Sequence, residues 1–178
     1  MSTTQIVYVA LAAGLMLAWL ALAIFGPRRL AAPGVLADMR YGVSLRCIAL
    51  ALALSAPMVM IYVIGTFEWK TEARVNIAGI ALLAMSIIAG LLLIEVMRTQ
   101  IILTEDALTR FSPWSGPATL NWSEVERVRY SAVNQWFLVE GAGRTIRVSR
   151  HLTGVNIFAD LARRKLATAA WSGAAKMM

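Results

Sequence analysis

Apolar residues fill three long stretches in the first half of the chain, at 6–25, 47–67 and 77–94, and no charge lies near the centre of any of them. A helix rises about 1.5 Å per residue, so about 20 apolar residues cross a hydrocarbon core roughly 30 Å thick. Lipid offers no partner for backbone N–H and C=O groups, so a crossing segment must be helical. The pattern therefore predicts three transmembrane helices, the third continuing to residue 97.

After residue 98 the apolar residues alternate with polar ones, a period typical of half-buried strands. Six short strands separated by turn residues are predicted, at 100–103, 107–111, 118–121, 125–130, 136–139 and 144–148. The helical period returns at 154–166, where one apolar stripe contains Val155, Phe158, Leu161, Ala162 and Leu166. We therefore predict a membrane protein in which three helices, in residues 1–98, precede a small α+β domain at 99–166 and a tail at 167–178.

The distribution of charge predicts which side of the membrane this domain occupies. The chain of 178 residues has 17 Lys and Arg against 10 Asp and Glu, a net charge of +7. No basic residue precedes the first span, and the loop after the second span has only Lys70 and Arg74. Because Lys and Arg are enriched in cytoplasmic loops, the N-terminus is predicted outside and the domain at 99–166 in the cytoplasm.

Two parts of the membrane half allow alternative interpretations. Ala21-Leu22-Ala23 fits a signal-peptidase site, but no basic residue precedes the apolar run and Arg28-Arg29 follows it, which favours a retained helix. The segment 35–45 is expected either as a short helix on the membrane surface, with Val35, Met39 and Val43 on one face, or as an irregular loop.

Small and ionisable residues in the spans are candidates for helix packing or function. Small residues at four-residue spacing let another helix approach closely, so these stripes either hold the three helices together or bind a partner helix, although Ala is common in this chain. They are Ala10, Gly14 and Ala18 in the first span and Ser86 and Gly90 in the third. Glu95 is the acidic residue closest to a span. It is either a functional intramembrane group or the partner of Arg98 in an interfacial ion pair.

The order of strands and closing helix resembles the bacterial pleckstrin-homology-like domains that are fused to membrane helices. The resemblance rests on residues 101–109 (IILTEDALT), 120–128 (LNWSEVERV), the hairpin at Gly141 and the final helix. It implies a strongly bent sheet, partly closed as a barrel and capped by the helix, in a protein of the bacterial inner membrane. It also implies binding or scaffolding and no catalysis.

Five arginines of the predicted domain form a candidate binding set for an anionic lipid or an acidic partner: Arg127, Arg129, Arg144, Arg147 and Arg150. The alternative is an ordinary solvated sheet face. Pleckstrin-homology domains that hold phosphoinositides have several Lys or Arg around the first hairpin, because phosphates need charge-assisted donors. The corresponding turn here, Glu105-Asp106, has only Arg110 nearby and departs from that pattern.

Sequence motifs for catalysis or cofactor binding are absent. The chain has no Walker loop, H-E-x-x-H, G-x-S-x-G or G-x-G-x-x-G motif, and its one cysteine and one histidine exclude a Cys- or His-based metal cluster. The sequence also lacks the basic stripe with interleaved aromatic residues that is typical of nucleic-acid-binding proteins, so no nucleic-acid partner is expected. We therefore expect no catalytic residue, cofactor or metal, and a membrane-anchored accessory or assembly subunit whose partners are lipids, other membrane subunits or further copies of itself. Alternatives are a lipid or membrane-state sensor, or a transporter or enzyme component formed on oligomerisation.

Overall fold

The computed structural model describes residues 2–25, 34–66, 71–166 and 171–172. The chain forms two compact units, one made of residues 1–27 and 43–97 and the other of residues 28–42 and 98–178. The end of the second predicted span, the arginines at 28–29 and most of the predicted tail lie outside the described residues.

The first unit contains three helices: α1 (Thr3–Phe25), α2 (Val43–Thr66) and α3 (Glu72–Arg98). All three are long and apolar enough to cross a membrane, which confirms the predicted multi-pass layout. One core cluster contains Ala12 of α1, Met60 and Ile64 of α2 and Val75 of α3. At one end of the bundle the Gln5 side-chain amide donates a hydrogen bond to the Ile64 carbonyl over 3.0 Å.

In the residues that the structure describes, the second unit is a sheet domain of eight strands with one helix near its end. The strands are β1 (Val35–Arg40), β2 (Gln100–Thr104), β3 (Ala107–Phe111), β4 (Ala118–Asn121), β5 (Val125–Ser131), β6 (Trp136–Gly141), β7 (Arg144–Ser149) and β8 (Trp171–Ser172). They form two sheets, ordered β1-β2-β3-β4 and β7-β6-β5-β8. Neighbouring strands are antiparallel except for the parallel pair of β5 and β8.

The loop between α1 and α2 supplies β1, which corrects both expectations for the segment 35–45. Ala37 and Met39 point into the core of the domain, and Asp38 and Arg40 alternate with them. The Arg40 guanidinium pairs with the Asp38 carboxylate over 2.7 Å, and the Gln100 side chain of β2 donates a hydrogen bond to the same carboxylate over 3.0 Å. The chain leaves this sheet at Arg40 and re-enters it at Gln100, and α2 and α3 lie between these two residues.

One hydrophobic core receives side chains from both sheets and from the helix α4 (Val155–Lys165). The ring of Phe158 is buried in its centre, 6.2 Å from the ring of Trp122 and 5.8 Å from that of Phe137. Trp122 begins the short 3-10 turn Trp122–Glu124, and its indole N–H donates to the Thr104 carbonyl. The predicted stripe of the last helix is confirmed, since Phe158, Leu161 and Ala162 are all buried.

The hairpin between β6 and β7 depends on two glycines for different reasons. Ala142 and Gly143 both have positive φ, 47° and 68°, as a two-residue type I′ turn requires. Gly141 has no room for a side chain, because an added Cβ would lie 2.0 Å from the Glu124 carbonyl oxygen. This close approach brings the start of β5 against the end of β6, with which it pairs.

Candidate functional site

The outer face of the sheet formed by β5, β6 and β7 brings together three of the five predicted arginines. Register places Arg127 opposite Glu140, and it places Leu138 between Arg129 on one side and Arg147 on the other. Alternation turns Val128, Phe137, Val139, Ile146 and Val148 to the core, so the residues between them point outward. We name this surface the basic face; it consists of Arg127, Arg129, Trp136, Leu138, Glu140 and Arg147.

Contacts within the basic face hold two of its guanidinium groups. Arg129 pairs with Glu140, and its Nε donates to the same carboxylate oxygen over 3.0 Å. The Arg147 guanidinium carbon lies 5.4 Å from the centre of the Trp136 ring, in the geometry of a cation–π contact. Three guanidinium groups against one carboxylate leave the face positively charged, with two half-buried apolar side chains, Trp136 and Leu138, in the central strand.

The other two predicted arginines lie apart from this face. Arg144 begins β7 at the hairpin and Arg150 follows its last residue, so the two stand at opposite ends of one strand. Arg150 lines a groove of about 280 Å³ beside α4, together with Phe137, Val155, Asn156, Ala159, Asp160 and Arg163. Sequence alternation could not find this grouping, because Arg163 belongs to a helix that the chain reaches only after the last long strand.

The structure divides the small residues of the spans into two groups. Ser86 and Gly90 of α3 are buried, and a Cβ added at Gly90 would lie 2.0–2.4 Å from ring atoms of Trp19. Ala10, Gly14 and Ala18 are exposed, with no atom within 4 Å of a Cβ at Gly14. Within the bundle, α1 contacts α3 with Trp19 and Tyr8, whose rings lie on Gly90 and Gly79. Binding of a partner helix by the exposed α1 stripe stays a prediction.

The remaining candidate residues have ordinary positions. Glu95 is half-buried three residues before α3 ends at Arg98, outside the centre of the span. Cys47 is exposed near the start of α2, and His151 is exposed between β7 and α4. Within the described ranges, no three His, Cys, Asp or Glu side chains are placed to hold a metal ion.

Comparison of the chain with known proteins finds no matching family model, no matching curated protein and no matching solved structure.

Proposed function

We propose that this chain is a non-catalytic interaction protein, an accessory or assembly subunit of a larger complex in a bacterial inner membrane. Its N-terminus lies outside and its sheet domain in the cytoplasm. This orientation is supported by the positions of the basic residues, since all 17 Lys and Arg except Lys70 and Arg74 then lie on the cytoplasmic side.

The proposal includes a pleckstrin-homology-like fold for the sheet domain, with the sheets bent into a partly closed barrel. Its support is the sequence of elements: strands that pair mainly with their neighbours along the chain, two sheets that share one core, and a late helix packed on that core. A rigid core of this kind leaves the outer strand faces for partners.

The basic face is the observation that carries the proposed function. Trp and Arg are the side chains most enriched at energetically important positions of protein interfaces. Here they lie in one sheet, with Trp136 in contact with Arg147 and with Leu138 between two arginines. The positive charge of the face predicts a partner with an acidic surface, because complementary charge guides association.

The test is to purify the full chain in mild detergent and measure the native mass of the complex it forms. We expect a stoichiometric partner with the wild type that is lost with Arg147→Glu. Arg144→Glu is the matched control, because it makes the same charge change in the same strand but outside the basic face. A chain that purifies without a partner, or a partner retained equally by both variants, would contradict the proposal.

A second candidate function is an anionic-lipid sensor that uses the same face, favoured by the three guanidinium groups on one sheet. The full chain in neutral nanodiscs should then bind separate anionic vesicles. High salt and Arg147→Glu should each remove this binding. The full chain is needed, because a fragment beginning at residue 99 lacks β1 and leaves the edge of β2 unpaired.

A further inference from the structure

One end of the sheet domain is joined directly to two membrane helices. Arg40 pairs with Gln100 at this end; Val43 begins α2 three residues after Arg40, and α3 ends at Arg98, two residues before Gln100. We name it the anchor end. Because each connection is only two or three residues long, this end stays within about 10 Å of the helix termini along the chain.

Strand register places three further connections at the anchor end. Gln100 pairs with Phe111, so the loop from residue 112 to residue 117 begins there. In the second sheet, the turn between β5 and β6 lies beside residue 150, since the Arg150 N–H donates to the Gln135 carbonyl over 2.9 Å. The two sheets meet at this end, because the Thr153 N–H donates to the Arg40 carbonyl over 2.8 Å.

The opposite end of the domain has a different character. It contains the turn Glu105-Asp106, the 3-10 turn Trp122–Glu124 and the hairpin at Gly143. The Trp122 N–H donates to the Asp106 carbonyl over 2.9 Å, which ties two of these turns together. We name it the free end. Three carboxylates lie in its turns. Among the described residues, the exposed large apolar side chain at this end is Leu36, which is 40% exposed and lies in β1 and not in a turn.

The anchor end, by contrast, exposes two large apolar side chains at the tips of its loops. Trp114 is 56% exposed and Val133 is 93% exposed. Two prolines, Pro113 and Pro117, restrict the first loop, and the Ser112 hydroxyl accepts a hydrogen bond from the Trp114 N–H. The indole is therefore held away from the core by a short, conformationally restricted loop.

The depth of the anchor end follows from the length of α3 beyond its apolar run. Arg98 lies four positions after Ile94, which is about 6 Å of helix at 1.5 Å per residue. The headgroup layer on each side of a bilayer is about 5–8 Å thick. The anchor end therefore begins at the level of the headgroups, where Trp is the preferred side chain because its ring is apolar and its N–H is polar.

We propose that the anchor end rests on the chain's own bilayer, with Trp114 and Val133 inserted at the boundary between headgroups and acyl chains. The exposed guanidinium of Arg150, at the same end, lies beside the lipid phosphates. This contact adds to the two covalent connections and fixes which end of the domain meets lipid. It goes beyond the proposed function, which concerns the basic face and a protein partner.

Site-specific quenching in the full chain tests this contact. In a Cys47→Ser background, Ser115→Cys next to Trp114 and Ser123→Cys at the free end each carry an environment-sensitive fluorophore; both serines are exposed. The protein is reconstituted in vesicles of phosphatidylethanolamine and phosphatidylglycerol containing a nitroxide-labelled lipid. We expect several-fold stronger lipid quenching at position 115 than at 123. Equal quenching at the two positions overturns the proposal.

A second pair of variants separates docking from general proximity to the membrane. With the fluorophore on Asn134→Cys beside Val133, Trp114→Ser should reduce lipid quenching several-fold, and Trp114→Phe should largely restore it. Unchanged quenching in Trp114→Ser would mean that the indole does not hold the domain to lipid. A label at 115 that is shielded from aqueous iodide but not quenched by lipid would identify a protein or a second copy as the occupant, which also overturns the proposal. None of these quenching results changes the outcome expected for Arg147→Glu in the test for a protein partner.

Discussion

The helix bundle and the sheet domain place their apolar side chains in opposite ways. On α1, α2 and α3, large side chains such as Leu17, Ile77 and Ile88 are about two-thirds exposed, while several of the buried positions are Ala, Gly or Ser. In the sheet domain the large apolar side chains fill one core. Among the described residues outside the three helices, the exposed exceptions are Leu36, Trp114, Val133 and Ile157.

The difference shows that each unit is built for its own solvent. Burying apolar area gains nothing where the surroundings are lipid tails, so the helices need small residues that leave room for close contact, as Gly90 does for the Trp19 ring. In water the same area must be buried to stabilise the fold. An exposed apolar residue is therefore ordinary on the bundle and informative on the domain, which is why Trp114 and Val133 carry an inference and Leu17 does not.

The largest effect is expected from emptying the core of the sheet domain. Phe158→Ala removes a fully buried ring between Trp122 and Phe137 and should lower the free energy of unfolding of the domain by about 3–5 kcal/mol. Urea unfolding of the full chain in detergent, followed by near-UV circular dichroism, measures this loss. Ile157→Ala, one position earlier and 39% exposed, is the control. Equal losses for the two variants would show that the domain lacks the core described.

A charge on the outside of each unit tests the difference in solvent directly. Ile88→Lys puts an ammonium group on a side of α3 that is 67% exposed, and should weaken membrane insertion by about 2.5–3.5 kcal/mol. Leu36→Lys, at a site that is 40% exposed in β1 of the domain and away from the anchor end, should leave insertion unchanged. The fraction of chain that resists alkaline extraction from membranes is the measurement. Equal insertion of both variants would show that the exposed side of α3 does not face lipid.

Gly90, which lies against a ring, and Gly14, which lies in open space, should differ in how one added methyl group changes the stability of the bundle. Gly90→Ala drives a Cβ into the Trp19 ring and should cost about 1–3 kcal/mol, seen as a lower melting temperature in detergent. Gly14→Ala meets no atom within 4 Å and should not lower it. Combining Gly90→Ala with Trp19→Leu should recover part of the loss. Glycine variants with the same melting temperature would argue against this helix contact.

The smallest effect is expected on the outside of the sheet domain. Arg129 is 45% exposed where it pairs with Glu140, and such pairs contribute about 0.2–1 kcal/mol. A double-mutant cycle with Arg129→Ala and Glu140→Ala, measured by urea unfolding, gives the coupling between the two residues. A coupling as large as the loss from Phe158→Ala would mean that the basic face stabilises the fold, and would weaken its assignment as a binding surface.

Local patterns in the sequence predicted most elements of both units. The three spans followed from apolar length, and the strands from β2 to β7 followed from alternation between turns that are rich in Gly, Pro or acidic residues. These signals are local, since each of these strands pairs with a neighbour along the chain, although β4 and β5 lie in different sheets. The stripe of α4 was equally clear because its buried residues recur at helical spacing.

The strand β1 was not predicted, because its partner β2 lies about sixty residues later, beyond two membrane helices. Its sequence does alternate between apolar and polar residues: Ala37 and Met39 face inward, and each is followed by a polar residue, Asp38 or Arg40. A segment of six residues, however, also fits a helical spacing, and only the pairing with β2 decides between them. The grouping of Arg150 with Arg163 was missed for the same reason, as it joins a strand end to a later helix.

The sequence by itself determined the solvent of each half, the number of spans and most of the strands, because length, apolar content and period act within a few neighbouring residues. Only the tertiary structure decided that the first loop completes a sheet, that Trp19 and Gly90 meet, and which arginines share a face. These outcomes depend on which distant segments pack together. Packing between distant segments depends on the shape and register of whole elements, so a pattern within a few neighbouring residues cannot predict it.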